Sequence, residues 1–306
     1  MTLEIFIICH NRPEQAKEAI QSVLNQNSSD YQLIISDNSS DDTVGEMART
    51  HFPSVAYRRR SSALPALAHF NACISEAAAD YFCLFHDDDT MREGFVSNVA
   101  EAIALHPTAV AFGTNACVVN IPANTKELSF LCLGRFEQIS SPEDLFRRYY
   151  GRYHTGIAPF PGYVYRTVKI EGKRIPEDGG KYADVSWLLT IAASGRIVWI
   201  TKPLMDYYLH GGNDGLQESL RDRRRLLGFL EQNKTLCGSA GLADYRYFIH
   251  KQLVASLSAV RYAKRLKIIK REMNKHRLCR LFRGKDYFFM IKRAIITNLM
   301  KQKECG

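Results

Sequence analysis

Short apolar runs alternate with amphipathic helical segments over the first 113 residues, and this alternation restricts the fold more than any other feature of the chain. The apolar runs have strand length and lie at 4–8, 31–36, 54–58, 81–85 and 109–113. The segments between them carry apolar residues at helical spacing, at 13–26, 41–51, 64–79 and 92–106. Such alternation predicts an α/β fold with a mostly parallel sheet and helices on both faces.

Polar clusters follow three of the predicted strands. They are "CHNR" at 9–12, "DNSSDD" at 37–42 and "HDDD" at 86–89. In open α/β sheets, ligands bind in the crevice beyond the carboxyl ends of the strands. The three clusters therefore predict one binding site at that edge of the sheet.

Three consecutive aspartates, Asp87, Asp88 and Asp89, directly follow an apolar run. Adjacent carboxylates repel one another unless a cation or a ligand lies among them. No glycine-rich phosphate loop of the GxGxxG or GxxxxGK[ST] type follows any of the strands. A divalent cation held by the aspartates would bind phosphates instead. The alternative is a helix N-terminal cluster favoured by the dipole of the helix at 92–106.

The composition is that of an ordinary soluble protein, with 46% hydrophobic and 24% charged residues. The eight cysteines contain no CxxC pair, which argues against zinc and disulfides and suits a reducing cytoplasm. Glu4 interrupts the first apolar run, so we expect no signal peptide. No apolar stretch reaches about 18 residues, so we expect no membrane-spanning helix.

Three blocks of the chain, in this order and spacing, resemble the family 2 glycosyltransferases that build bacterial surface polysaccharides. The first is "IFIICHNRPEQAKEAIQSVLNQNSSDYQLIISDNSSDDT" at 5–43, and the second is Asn71 followed by "FHDDD". The third is "GGKYADVSWLLTIAASGRIVWITKPLMDYYLHGGND" at 179–214. The resemblance covers about residues 3–215 and implies a GT-A-like fold, which is related to the Rossmann fold and binds nucleotide sugars.

The resemblance also implies which residues bind the donor. Asp37 would contact a pyrimidine base, which favours a UDP-sugar, and its alternative role is an Asx turn within "DNSSD". Asn11 and Arg12 could instead only shape the loop after the first strand. The implied nucleotide-sugar pocket consists of Cys9, His10, Arg12, Asp37, Asn71, Asp87 and Asp88.

By the same resemblance, the aspartates and one histidine hold a divalent cation, Mn²⁺ or Mg²⁺. Asp87 and Asp89 match the family's Asp-X-Asp pair, with Asp89 coordinating the ion directly and Asp87 facing the ribose or a metal-bound water. Asp88 leaves the register of the pair open. His210 matches a histidine that in relatives contacts the metal or the diphosphate. Such a cation takes up the charge that develops on the leaving diphosphate.

Transfer to a sugar hydroxyl needs a general base, and Asp184 matches the second residue of the family's Glu-Asp motif. The sequence departs from the family's pattern at Ala183 and Ser186, where acidic residues are usual. The alternative base lies in the literal pair at 177–178, which reads more naturally as a surface turn. One carboxylate base without a nucleophilic partner predicts direct displacement with inversion.

We expect residues 1–115 to form a nucleotide-sugar-binding half and residues 116–215 an acceptor-binding half of one domain. Trp187 and Tyr163 are weak candidates for stacking on acceptor sugars, and core packing is their alternative role. The resemblance implies a saccharide acceptor, and a lipid-linked one, because many relatives act on lipid-linked acceptors. Residues 216–306 are expected to be a helical C-terminal region.

That C-terminal region is strongly basic from residue 261. Residues 261–306 hold 15 Lys/Arg and 3 Asp/Glu, a net charge of +12, whereas the rest of the chain has a net charge of −3. A basic amphipathic helix at 261–273 predicts attachment to an anionic membrane surface. A nucleic-acid surface and an ordinary solvated face are the alternatives. With a glycosyltransferase body, we expect a peripheral enzyme on the inner face of the cytoplasmic membrane and no nucleic-acid partner.

Other classes of protein explain less of the sequence. A nucleotidyltransferase shares the fold but needs a glycine-rich, basic loop where "CHNRPEQ" stands. A non-catalytic carbohydrate- or membrane-binding module would have no use for Asp87–Asp89 together with Asp184. The sequence therefore favours an inverting, metal-dependent glycosyltransferase.

Overall fold

The computed structural model describes residues 1–151, 156–211 and 219–256. Its strands are β1 (Leu3–Cys9), β2 (Gln32–Asp37), β3 (Ala56–Arg59), β4 (Tyr81–His86), β5 (Thr90–Met91), β6 (Ala111–Asn120), β7 (Thr125–Leu128), β8 (Phe136–Ile139), β9 (Tyr163–Arg166) and β10 (Ile197–Leu209). Its α-helices are α1 (Pro13–Leu24), α2 (Thr43–His51), α3 (Ala66–Glu76), α4 (Phe95–Leu105), α5 (Pro142–Tyr150), α6 (Thr167–Ile170), α7 (Ala183–Ala192), α8 (Leu220–Gln232) and α9 (Gly238–Ser256). Short 3-10 helices lie at Phe160–Gly162, Glu177–Tyr182 and Lys234–Leu236.

The strands form a single sheet in the order β3-β2-β1-β4-β9-β6-β10-β5, with β7 beside β6 and β8 beside β10. The strands β1 to β4 pair in parallel, as the alternation of strands and helices predicts. β10 also runs parallel to β6. The pairs made by β5, β7, β8 and β9 are antiparallel, so the sheet as a whole is mixed.

A short connection explains the antiparallel pair of β6 and β7. A parallel neighbour requires a crossover of a dozen or more residues, whereas a tight turn returns the chain antiparallel. Only residues 121–124 separate β6 from β7, which therefore form a hairpin. The connections between β1, β2, β3 and β4 instead contain α1, α2 and α3, which allow parallel pairing.

Both faces of the sheet are covered, as predicted. Along β1, Ile5 and Ile7 point into one apolar cluster, which α1, α2 and α4 complete. Phe6 and Ile8 point into the other cluster, to which α5, α7, α8 and α9 contribute. This division follows from the two-residue period of side chains in a strand. Two buried faces also explain why the strands read as continuous apolar runs.

The helices α8 and α9 lie within the region expected to be helical. Leu230 of α8 and Tyr245 of α9 are buried in the same cluster as Trp187 of α7. None of the helices in the described ranges is long and apolar enough to cross a membrane. The basic segment 261–306 lies outside the described residues.

Candidate active site

The polar clusters meet at one edge of the sheet because the strands that precede them run in parallel. Cys9, the last residue of β1, pairs with Asp37, the last residue of β2. Ile8 pairs with His86, the last residue of β4. His210 directly follows β10, which ends at the same edge. The predicted convergence of the three loops is therefore present.

Asp87 is fully buried, and protein groups occupy both of its carboxylate oxygens. Arg12 forms an ion pair with Oδ1, and the backbone N–H of His10 donates to Oδ2 at 3.0 Å. Burial raises the pKa of Asp87 to about 6, although Arg12 acts to lower it. Arg12 and the loop after β1 therefore hold Asp87 in place, and its part in metal binding stays a prediction.

Asp88 joins two of the predicted site residues. Its Oδ2 accepts a hydrogen bond from Arg12 at 2.6 Å and lies 3.1 Å from Nε2 of His210. Burial alone would raise the pKa of Asp88, but His86, Arg12 and His210 together lower it. Arg12 thus relieves part of the repulsion among the aspartates, and Asp88 is ionised at neutral pH.

Asp89 is almost fully buried and has only one of its oxygens satisfied. Oδ1 accepts a hydrogen bond from the backbone N–H of Tyr208 at 3.0 Å. Oδ2 has no hydrogen-bond partner among the described residues and lies 3.9 Å from Nδ1 of His86. Burial raises the pKa of Asp89 well above its usual range, and the neighbouring carboxylates raise it further. A buried carboxylate oxygen without a donor is suited to a cation.

His86 completes a group of possible metal ligands that the sequence reasoning did not single out. His86, Asp88 and Asp89 each offer one possible ligand atom, and these three atoms lie within 4.8 Å of one another. Burial lowers the pKa of His86 to about 4, so its imidazole is neutral at pH 7. Two carboxylates and a neutral imidazole are a donor set that divalent cations accept. The sequence feature that could have identified His86 is its position directly before the three aspartates.

Asp37 is fully buried and makes the Asx turn that was its alternative role. Its Oδ1 accepts the backbone N–H of Ser39 at 2.8 Å, and its Oδ2 accepts the hydroxyl of Tyr57 at 2.6 Å. Burial and this hydrogen bond raise the pKa of Tyr57 to about 12. The contact of Asp37 with a nucleotide base remains a prediction.

Asn11 shapes the loop after β1, as its alternative role proposed. Its backbone has a positive φ of 54°, and its N–H donates to Ser39 Oγ at 2.9 Å. Its side-chain oxygen accepts the N–H of Ser40 at 2.8 Å. His10 is tied to the same second loop, since its Nδ1 lies 2.8 Å from the carbonyl oxygen of Asn38. These bonds join the loops after β1 and β2 into one wall of the site.

Two residues predicted to bind the nucleotide sugar have structural contacts within the protein. The side chain of Cys9 is buried in the core, with Sγ 3.7 Å from the carbonyl oxygen of Ile7. Burial accordingly raises the pKa of its thiol. The side-chain amide of Asn71 donates to the carbonyl of Ile175 at 3.2 Å and accepts its N–H at 2.8 Å. The prediction for the side chain of Cys9 is therefore corrected to core packing, whereas the role of Asn71 in donor binding stays a prediction beside its loop attachment.

Asp184 lies in the first turn of α7, partly exposed but largely surrounded by protein. Burial raises its pKa to about 6, against the lowering effects of backbone N–H groups and Arg223. Burial also raises the pKa of the Tyr207 hydroxyl, and the carboxylates of Asp89 and Asp184 raise it further. Both carboxylates are thus close enough to the Tyr207 hydroxyl to affect its pKa.

The glycine pair before α7 allows close packing that a side chain would prevent. A Cβ on Gly179 would lie 2.6 Å from Ser186 Oγ, and Gly180 has a positive φ of 59°. Glu177 and Asp178, the alternative base pair, are exposed in the preceding 3-10 helix. Their position agrees with a surface turn.

The two aromatic residues proposed for the acceptor are core residues. Trp187 and Tyr163 are both fully buried. The hydroxyl of Tyr163 accepts the indole N–H of Trp199 at 2.8 Å, and Trp187 packs edge-on against Tyr165. Their predicted role in acceptor binding is corrected to core packing, which was the alternative.

The mixed α/β sheet, with acidic side chains gathered at the carboxyl edge of its parallel strands, is the fold of the GT-A glycosyltransferases. The chain matches the family model of Glycosyl transferase family 2 over residues 4–163 and belongs to that family. The chain is thus a glycosyltransferase, and the nucleotidyltransferase and non-catalytic alternatives are not supported.

Two curated relatives are bacterial glycosyltransferases. A GalNAc(5)-diNAcBac-PP-undecaprenol beta-1,3-glucosyltransferase of Campylobacter jejuni is 24% identical over 245 residues, covering 76% of this chain and 74% of the relative. Abequosyltransferase RfbV of Salmonella typhimurium is 35% identical over 100 residues, covering 30% of each protein.

Solved structures share the fold at low sequence identity. S. aureus TarS 1-349 in complex with UDP-GlcNAc has a TM-score of 0.58 at 13% identity, covering 90% of this chain and 72% of TarS. The mannosyltransferase PcManGT of Pyrobaculum calidifontis, with GDP-Man and Mn²⁺, has a TM-score of 0.54 at 14% identity, covering 98% of this chain and 88% of PcManGT.

Proposed function

We propose that this chain is an inverting, metal-dependent glycosyltransferase that transfers a sugar from a nucleotide diphosphate sugar, preferably a UDP-sugar, to a saccharide acceptor. The acceptor is lipid-linked and belongs to the synthesis of a bacterial O-antigen, capsule or related polysaccharide. The enzyme works as a peripheral protein on the inner face of the cytoplasmic membrane, where segment 261–306 attaches it.

The observation that carries the proposal is the placement of Asp89. Its Oδ2 is buried without a hydrogen-bond partner in the described part of the chain, beside His86 and Asp88. A divalent cation bound there would neutralise charge on the leaving diphosphate. The binding of GDP-Man and Mn²⁺ by PcManGT, a structure of the same fold, supports this cofactor.

The chain's own residues divide the remaining work. Asp184 removes the proton of the attacking acceptor hydroxyl, and its raised pKa of about 6 brings its basicity close to the operating pH. Arg12, ion-paired with Asp87 and Asp88, presents positive charge to the diphosphate. The loops after β1 and β2, joined by Asn11, shape the nucleoside pocket beside Asp37.

Displacement proceeds with inversion because one carboxylate acts as base on the acceptor. Oxygen of the acceptor hydroxyl forms the new bond to the anomeric carbon as the bond to the diphosphate breaks. The proton leaves on Asp184. None of the other described carboxylates is assigned as a nucleophile in this scheme.

The lipid-linked acceptor rests on the name of the Campylobacter relative, which describes an undecaprenol-diphosphate saccharide as its substrate. The donor rests on the UDP-GlcNAc complex of TarS and on the position of Asp37. The membrane location rests on the net charge of +12 in segment 261–306.

A nucleotide screen tests the proposal. The melting temperature of the purified protein would be measured with UDP, GDP or dTDP, each with Mn²⁺, Mg²⁺ or EDTA. We expect UDP with metal to give the largest rise, and the corresponding UDP-sugar to be slowly hydrolysed. An absence of stabilisation by any nucleotide diphosphate, with no release of nucleotide from its sugar, would contradict the proposal.

A further inference from the structure

The imidazole of His86 lies beside Asp88 and Asp89 inside the acidic site. Its Nε2 is buried and has no hydrogen-bond partner in residues 1–151, 156–211 and 219–256. Its Nδ1 lies 3.9 Å from Oδ2 of Asp89, which is too far for a hydrogen bond. A cation between His86 Nδ1 and Asp89 Oδ2 would give both atoms a partner.

The separation of these atoms fits two ligands of one ion. Ligand bonds of about 2.1 Å place neighbouring ligands about 3.0 Å apart and opposite ligands about 4.2 Å apart. The distance of 3.9 Å between His86 Nδ1 and Asp89 Oδ2 is therefore short enough for one ion to reach both atoms. A ligand atom of Asp88 belongs to the same group, within 4.8 Å.

The surroundings of His86 hold the ring in place. Its centroid lies 5.6 Å from that of Phe70 and 5.8 Å from that of Phe160. Two aromatic neighbours restrict the ring without offering a hydrogen-bond acceptor in their side chains. The imidazole is therefore positioned next to the acidic cluster at little further entropic cost on binding a cation.

We propose that His86 is a direct nitrogen ligand of the cation and makes the site prefer later transition metals such as Co²⁺ over Mg²⁺. Imidazole suits transition metals, whereas Mg²⁺ keeps to oxygen ligands, and affinity rises from Mn²⁺ to Co²⁺ in sites of this type. The inference rests on the cation site of the proposed function and adds a ligand to it.

The test compares Co²⁺ and Mg²⁺ binding by isothermal titration calorimetry, with and without UDP, in the full chain. His86→Phe keeps an aromatic ring between Phe70 and Phe160 but removes the nitrogen. We expect its Co²⁺ affinity to fall at least about tenfold and its Mg²⁺ affinity to fall less. Tenfold is the smallest usual loss when a residue that only supports a metal ligand is removed, so loss of a direct ligand should cost at least as much. His86→Gln, which offers an amide oxygen, should retain Mg²⁺ binding better than Co²⁺ binding.

His106 provides a matched control. Its Nε2 is also buried without a partner among the described residues, and its ring also packs against a phenylalanine, Phe136, at 5.1 Å. His106 does not belong to the group of possible metal ligands formed by His86, Asp88 and Asp89. His106→Phe should therefore bind both metals as the wild type does.

Several outcomes would overturn the inference: equal losses of Co²⁺ and Mg²⁺ affinity in both His86 variants, unchanged Co²⁺ affinity, similar losses in His106→Phe, or no Co²⁺ binding by the wild type. Sugar transfer by the wild type is measured separately, with metal and with EDTA. If wild-type transfer requires metal but His86→Phe has the metal selectivity of the wild type, His86 is not a ligand and the proposed function still stands. If the wild type neither binds metal nor transfers sugar, the proposed function itself is rejected.

Discussion

Arg12 donates a hydrogen bond to Oδ2 of Asp88 at 2.6 Å, although 76 positions separate the two residues in the chain. The same guanidinium forms an ion pair with Asp87. It therefore places one positive charge against two of three adjacent carboxylates. This contact connects the loop after β1 to the loop after β4, and it explains in part how three consecutive aspartates are tolerated.

Arg12→Gln should destabilise the metal-free protein. Loss of one partner of a buried ion pair costs about 3–5 kcal/mol, but Arg12 is one-third exposed, so we expect about 1–3 kcal/mol. Urea unfolding in EDTA measures the change. Added Mn²⁺ should reduce the difference from the wild type, because the ion then supplies the missing positive charge.

Arg147, which pairs with Glu143 on the surface, is the control for that change. Arg147→Gln should cost less than about 0.5 kcal/mol, with no dependence on metal. Equal destabilisation by the two variants, or a loss in Arg12→Gln that Mn²⁺ leaves unchanged, would argue against this role of Arg12.

Asp89→Asn should abolish metal-dependent transfer while leaving the protein folded. Asparagine retains an oxygen for the N–H of Tyr208 but removes the charge that would bind the cation. We expect turnover to fall at least about 10²-fold, since a metal contributes several kcal/mol of charge stabilisation. EDTA should have the same effect on the wild type, and full turnover in EDTA would remove the metal from the mechanism.

Asp184→Asn should still bind the nucleotide sugar but lose about 10²- to 10⁴-fold in turnover, the usual contribution of a positioned base. Single-turnover kinetics and a donor titration separate the two effects. Asp178→Asn is the matched control, because Asp178 is exposed in the preceding 3-10 helix. A larger loss of turnover in Asp178→Asn would show that Asp184 is not the base.

The pKa of Asp184 also determines a pH dependence. Because the base must be ionised, wild-type turnover should rise with pH through about 6 and then level off. The folded pKa exceeds the value of about 3.9 for an unfolded chain, so the folded state holds the proton more strongly. This contribution to the free energy of unfolding is fully present below pH ~4 and is lost as pH rises through 6. Asp184→Asn should show neither effect.

Local sequence patterns predicted the parallel part of the fold, whereas contacts between distant segments decided the rest. The apolar runs at 4–8 and 81–85 became β1 and β4 because two-sided burial gives strands a continuous apolar pattern. β9 was not predicted, since its place between β4 and β6 depends on pairing with residues far away in the chain.

The candidate site shows the same division. Asp87, Asp88 and His210 are close together because motif residues at strand ends share an edge of the sheet. Asn71 instead bonds with Ile175, which is 104 positions away, and no local pattern reports such a contact. His86 was overlooked because its unpartnered nitrogen is a property of packing and not of sequence.

Tyr163→Phe should lower stability and leave the KM for the acceptor unchanged. The tyrosine hydroxyl accepts the indole N–H of Trp199 at 2.8 Å, and its loss leaves a buried donor unpaired. We expect a cost of about 1–3 kcal/mol in urea unfolding. Tyr31→Phe, which alters a half-buried tyrosine far from this cluster, should cost less. An increased KM in Tyr163→Phe without loss of stability would restore its role in acceptor binding.

The basic segment 261–306 should bind the full-length protein to anionic vesicles at low salt. Each Lys or Arg near such a surface contributes ~1 kcal/mol, and the attraction is screened within a Debye length. Six basic residues lie in the first part of the segment, at 261–273, and five of them stand among its apolar residues: Lys264, Arg265, Lys267, Lys270 and Arg271. Their joint replacement by Gln leaves the apolar residues in place and should abolish co-sedimentation, as should high salt for the wild type. Neutral vesicles are the control for apolar insertion alone.

Equal pelleting of the wild type and the variant with anionic vesicles, or no pelleting of either, would contradict this prediction. The segment would then face solvent or another protein, and the lipid-linked acceptor would have to reach the active site without help from this charge.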